Sequence, residues 1–233
     1  SEAIFKWRGR KQMGWLSPTA DVVNESGRFT VIGYGSLVDV HSAMRTMPSL
    51  HNFRKGTVKN YCRVFNLVSI INLRKGFAVE PYLATCTAER RVGSNLQVVA
   101  FEVPVSEYEA FAKREARLRH ETVEFEDEHG SVKPAVMCTS YSDVEYFEER
   151  CGGDKDMYFS EVGQYYSGKL YRTDIFPVPR YLALVLRAHE SLGADYADNF
   201  LDSSFLADGA TSLRAYLQTE TFREAGARTS PTG

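Results

Sequence analysis

Glu115 stands where a helical pattern calls for an apolar residue. Tyr108, Phe111, Glu115 and Leu118 follow one another at three- and four-residue steps, so on a helix they share the face that meets the core. A glutamate removed from water holds its proton more tightly, which moves its titration toward neutrality and suits it to take and return a proton. A neighbouring arginine would instead hold it ionised as half of a structural ion pair, and the helix alone leaves both readings open. The second group with chemical potential is the run Tyr34-Gly35-Ser36-Leu37. It interrupts an apolar stretch with a residue that has no Cβ and so lets a ligand approach the backbone, where successive N–H groups can converge on an oxyanion. An ordinary strand end has the same composition, and local sequence does not separate the two.

Both groups need elements to hold them. Phe29 to Tyr34, Tyr61 to Ile70, Tyr82 to Cys86, Leu96 to Val103, Glu121 to Phe125 and Ala135 to Tyr141 are rich in Val, Ile, Tyr, Phe and Thr and predict about six strands. Helical spacing is clearest at Glu107 to Leu118 and Pro179 to Leu192, and weaker at Val38 to Thr46 and Ala194 to Leu206. Ser106 and Glu109 have capping-box spacing at the start of the first of these. Strands dominate early and helices late, without βαβ alternation. That order predicts an α+β fold with a largely antiparallel or mixed sheet or barrel. The expected organisation is an N-terminal extension over residues 1–28, a domain over 29–219 and a C-terminal tail over 220–233.

Composition narrows the function classes. The 233 residues carry a formal net charge of −2 with both signs scattered, so no footprint for nucleic acid or anionic lipid is expected, and the partner is expected to be a small molecule. No segment has enough consecutive apolar residues to span a bilayer, which makes the cytoplasm the expected compartment. Cys62, Cys86, Cys138 and Cys151 lack Cys-x-x-Cys spacing and predict buried reduced thiols. The five histidines lack metal-ligand spacing, so no metal is expected. Gly33-x-Gly35-x-x-Val38 lacks the third glycine of a dinucleotide fingerprint. Tyr34 and Val38 occupy the positions where a nucleophile elbow around Ser36 would need glycine, which disfavours a serine hydrolase using Ser36 with His120.

Taken together, the motifs resemble the γ-glutamylcyclotransferase superfamily, and its ChaC-like, glutathione-specific branch in particular. The matching parts are Gly33-Tyr34-Gly35-Ser36-Leu37 after a strand, Tyr61-Cys62-Arg63-Val64-Phe65, the strand from Leu96 to Pro104, the pair Arg114-Glu115, and a helix opening at Tyr181 and ending near Gly193. The resemblance implies that the mixed or antiparallel sheet closes into a small barrel flanked by helices. It also implies a cofactor-independent γ-glutamylcyclotransferase that releases 5-oxoproline from glutathione or another γ-glutamyl peptide or amine. Glu115 would be the catalytic group. Tyr34, Gly35, Ser36, Leu37 and Tyr181 would bind substrate, and Arg63 would pair with a substrate carboxylate or stand on the outer face of its strand. One departure stands beside the carboxylate: the branch continues from Arg-Glu into Gly-Gly-Tyr, whereas this chain has Ala116-Arg117-Leu118-Arg119-His120. A noncatalytic binding module with the same fold and pocket is therefore the alternative. The segment between Tyr141 and Tyr171 is expected to be a solvated insertion rather than a lid.

Overall fold

Two long strands carry most of the sheet. β2 (His51–Val68) and β3 (Tyr82–Pro104) run antiparallel and pair from His51↔Glu102 to Val68↔Ala84. Register shifts bend the ribbon at His51/Arg54, Lys59/Tyr61 and Val64/Leu67, and the first two contain Asn52 and Asn60 at φ 53° and 62°. Asparagine tolerates this left-handed backbone better than most residues, so the bulges that curve the sheet are written locally. The computed structural model describes residue 18 and residues 20–219.

β1 (Arg28–Gly33) pairs antiparallel with β3 and parallel with β5 (Val132–Thr139), which pairs antiparallel with β4 (Arg119–Asp127). β4 pairs with β2 at Gly56↔Asp127, and the β2–β3 pairing closes the order β3-β1-β5-β4-β2 into a five-stranded mixed barrel. The short β6 (Phe176–Pro177) and β7 (Ser204–Leu206) extend β3 and β2 outside the ring. Phe29, Ile32, Phe65, Phe101, Phe111 and Phe125 are fully buried in its core. The expected α+β barrel is what forms.

Among the described residues eight α-helices flank it: α1 (Val40–Met44), α2 (Ile70–Arg74), α3 (Tyr108–Arg114), α4 (Asp143–Glu145), α5 (Lys155–Tyr158), α6 (Pro179–Leu192), α7 (Ala194–Asp202) and α8 (Leu213–Leu217). α6 has the bounds its sequence predicts. Pro179 sits in the first turn, where its missing N–H costs nothing, Leu182, Val185 and Ala188 are buried at helical spacing, and Gly193 ends the helix at φ 121°.

Three expectations need correction. α3 ends at Arg114, leaving Glu115 as its C-terminal cap, and its N-terminus has no side-chain cap from Ser106; the capping box is instead at Ser142 and Glu145. The helix stops because β4 must begin at Arg119, paired with Thr139, and because Arg150 takes the Ala112 and Ala116 carbonyls at 3.3 and 2.7 Å. The segment between Tyr141 and Tyr171 is no solvated insertion either. Tyr146, Cys151, Val162 and Leu170 are buried, and Tyr171 donates its hydroxyl to the Arg117 carbonyl, so the segment braces the turn that carries Glu115. The expected lead-in and tail fall mostly outside the described residues; of the lead-in, Val22 is buried and Asn24 donates to Glu102 at 3.2 Å. Among the described residues no helix is long and apolar enough to cross a membrane.

Candidate active site

β1 ends at Gly33, and the chain then turns through Tyr34 and Gly35 into a single 3-10 turn, Ser36–Val38, before Asp39 caps α1 by accepting from the Ser42 N–H at 2.8 Å. The first N–H groups of such a turn have no partner within it. Gly35 is needed for space rather than for backbone freedom: its φ is −119°, but a Cβ there would lie 2.8 Å from the Tyr181 hydroxyl and 3.1 Å from Cys86 Sγ. Tyr181, from the first turns of α6, therefore packs directly onto the turn. Its hydroxyl is 3.1 Å from the Cys86 thiol on β3.

Glu115 faces the same place. A recess of about 30 Å³ is bounded by Tyr34, Gly35, Ser36 and Leu37 on the turn, by Cys86, Cys138 and Tyr181, and by Glu115 and Leu118. Ser36, Cys86, Glu115, Leu118 and Tyr181 also wall a cleft of about 550 Å³, so the recess is the floor of a cavity of ligand size. The structure thus brings together six of the seven residues singled out by sequence.

The seventh, Arg63, lines neither recess nor cleft and is fully buried. Its Nε donates to the Tyr34 carbonyl at 2.8 Å, Nη1 to Ser203 Oγ at 2.9 Å, and Nη2 to the Gln97 carbonyl at 2.6 Å and to His189 Nε2 at 3.2 Å. His189 donates from Nδ1 to the Val185 carbonyl, which leaves Nε2 as the acceptor. Burial and Arg63 push this imidazole down to about 3, so it is neutral. Neither sequence reading of Arg63, a ligand for a substrate carboxylate or an outward-facing side chain, describes this position: it fixes the backbone behind the turn.

Sequence reasoning left out Arg114, although it noted the Arg114-Glu115 pair. Arg114 donates from Nε to Glu115 at 3.1 Å, from Nη2 to Ser36 Oγ at 3.2 Å and Ser42 Oγ at 3.0 Å, and from Nη1 to the Ser42 carbonyl and Thr46 Oγ1. It ties the turn, α1 and Glu115 together. The signal available for it was adjacency to an out-of-place carboxylate.

Electrostatics selects the group able to move a proton. The Glu115 side chain is 15% exposed; burial raises its pKa, and Arg114 opposes part of that rise. Burial holds the Tyr34 and Tyr181 phenols and the Cys138 thiol well above their ordinary values, and pushes Cys86 up to about 11. At neutral pH these groups keep their protons, so neither thiol is a nucleophile. The Tyr34 hydroxyl is buried without a hydrogen-bond partner among the described residues and lines the recess, which leaves its donor available to a ligand. Ser36 faces Arg114 rather than an imidazole, and His120 packs between Tyr108 and Phe111 with Nδ1 2.9 Å from the Tyr108 hydroxyl, so no Ser–His pair forms. Among the described residues no group of His, Cys, Asp and Glu is placed to hold a metal ion.

No protein-family model and no curated protein matches the chain. Solved structures do. A γ-glutamyl cyclotransferase superposes with a TM-score of 0.50 at 11% identity, over 86% of this chain and 99% of its own. A γ-glutamyl cyclotransferase specific to glutathione, from yeast, gives 0.46 at 11% identity over 75% and 96%. The uncharacterized protein loc79017 from Homo sapiens gives 0.42 at 14% identity over 56% and 80%. At these identities the likeness is one of fold, and the chain has the γ-glutamyl cyclotransferase-like fold: a closed five-stranded mixed barrel with flanking helices.

Proposed function

We propose that the protein is a γ-glutamylcyclotransferase acting on glutathione or another γ-glutamyl peptide or amine. The observation that carries this reading is the meeting of Glu115, its pKa raised by burial, with the Gly35–Leu37 backbone at the floor of one cleft. The γ-glutamyl head sits in the recess. Its α-amine attacks its own γ-carbonyl, a lactam C–N bond forms and the amide C–N bond breaks. Glu115 takes the proton from the attacking amine and returns it to the departing amine, which leaves beside 5-oxoproline. Backbone N–H groups of the turn hold the carbonyl oxygen as it gains charge. Ser36 and Glu115 are kept in register by Arg114.

The test is a panel of glutathione, γ-glutamyl amino acids and γ-glutamyl amines, with 5-oxoproline measured for the native protein and Glu115→Gln. Release by the native protein and loss in the variant are expected. Tight binding of the panel without release would instead identify a noncatalytic binding module.

A further inference from the structure

The cleft above the recess is basic, although the chain as a whole has a net charge of −2. Six cations, Arg45, Lys75, Arg114, Arg117, Arg180 and Arg187, line it against a single carboxylate, Glu115. Arg114 is paired with Glu115 and Arg117 with Glu161. The other four are exposed at the rim, and none is ion-paired with a carboxylate of the described residues. On other faces of the molecule Arg54, Arg90, Arg119, Arg172 and Arg214 each have at least one acidic partner. Arg45 follows α1, Lys75 follows α2, and Arg180 and Arg187 stand two turns apart on α6, so three elements converge on one opening with one sign of charge. Arg180 is further held over the Phe77 ring at 4.2 Å. Like charges gathered at a cavity mouth repel one another and focus the field on an incoming anion.

We propose that the preferred substrates are γ-glutamyl compounds whose leaving amine carries two negative charges, as two carboxylates or as one phosphate. The proposal rests on the cyclotransferase reading, which puts the γ-glutamyl head on the floor and so directs the leaving group toward the rim. The bond changes are those of the cyclisation, with the proton from the α-amine ending on the departing dianionic amine.

Four substrates test it: γ-glutamyl-ethylamide with a neutral leaving group, γ-glutamyl-alanine with one charge, and γ-glutamyl-glutamate and γ-glutamyl-phosphoethanolamine with two. The expected kcat/KM rises along that order by about tenfold or more from neutral to dianionic at low salt, and the advantage shrinks as salt screens the rim. The ratio between γ-glutamyl-glutamate and γ-glutamyl-phosphoethanolamine tells which anion fits. Arg180→Glu with Arg187→Glu should bring the dianion-to-neutral ratio close to one, while Lys133→Glu, the same change of sign at the exposed start of β5, should leave it in place. The salt series on the native protein does not depend on how the double variant folds. Equal kcat/KM for all four substrates, insensitive to salt, overturns the substrate proposal and leaves the cyclotransferase reading standing. Absence of 5-oxoproline from all four and from glutathione removes that reading and the substrate proposal with it, while release from glutathione alone overturns only the substrate proposal.

Discussion

Two arginines hold the turn between Tyr34 and Ser36, and they do so with opposite kinds of partner. Arg63 is buried among neutral acceptors, two carbonyls, a hydroxyl and an imidazole. Burial lowers its pKa to about 10, which still leaves it charged at neutral pH. Arg114 sits at the edge of the cleft, with a carboxylate and two serine hydroxyls among its partners. The first cation is balanced by neutral groups that do not titrate near neutral pH, so it can set geometry and little else. The second is balanced in part by a group that does titrate, so it sets geometry and also the proton affinity of Glu115. Damage behind the turn should appear as lost stability, and damage in front of it as lost or pH-shifted turnover.

The largest effect is expected behind the turn. Arg63→Met keeps length but strands the Tyr34 and Gln97 carbonyls and the His189 nitrogen in the core, each costing roughly 1–3 kcal/mol when buried without a partner. Loss of at least about 3 kcal/mol is expected in denaturant unfolding, with activity falling in step with the folded fraction. Native stability in the Arg63→Met variant would show that these acceptors find water, and the contrast between the two arginines would lose its basis.

In front of the turn, Glu115→Gln should separate rate from folding. Turnover should fall by about a hundredfold or more, the range for a positioned acid/base group. The sign of the stability change follows from the raised pKa. A carboxyl whose folded pKa lies above its unfolded value binds more protons when folded, so its contribution is full below the unfolded value and is lost as pH rises through the folded one. At neutral pH the ionised form is therefore a liability, and Gln removes it. Arg114 keeps its Ser36, Ser42 and Thr46 partners. Thermal melting should show an unchanged or raised midpoint; a steep drop would make Glu115 chiefly an ion-pair partner.

Gly35→Ala probes the contact between turn and helix α6. The added Cβ meets the Tyr181 hydroxyl at 2.8 Å and the Cys86 thiol at 3.1 Å, so the phenol must move out of the recess. Overpacking of this kind costs about 1–3 kcal/mol. A roughly tenfold drop in kcat/KM is expected by the same arithmetic if that cost falls on the bound state. Full activity of the folded variant would mean that Tyr181 does not shape the substrate site.

Much of this arrangement was legible because local signals agreed. The β1 strand, the glycine turn after it and α6 from Pro179 to Gly193 each carry their own start, stop and spacing. The first half of β2, His51 to Asn60, and the middle of β3 were not legible. Around Glu89, Arg90 and Asn95 the ribbon pairs Cys62↔Glu89, Tyr61↔Arg90 and Lys59↔Asn95, and partly exposed polar strands look like loops in sequence. Arg63 was misread because a cation within an apolar strand suggests a ligand or an outward-facing side chain, and its four acceptors come from segments up to 140 residues away. The end of α3 was misread for a related reason: nothing near Glu115 stops a helix, and the arginine that takes the Ala112 and Ala116 carbonyls lies at position 150.

The finest test of the comparison is a pair of changes at Arg114. Of the influences on Glu115, burial raises its pKa, and the charge and hydrogen bond of Arg114 are what lower it. Arg114→Met removes the lowering part alone, so the carboxyl should bind its proton still more tightly. If the base form is the active one, the acid limb of the kcat/KM profile must then move to higher pH, because Glu115 ionises only at higher pH. Arg114→Lys keeps a charge in place but cannot span Ser36 and Glu115 with one rigid fork. The limb should therefore stay closer to its native position while kcat falls severalfold through lost alignment. Positional disorder alone would lower turnover in both variants without moving the limb in either. A limb that shifts in Arg114→Met and returns in Arg114→Lys would assign to Arg114 the electrostatic part that Arg63, held among dipoles, does not have.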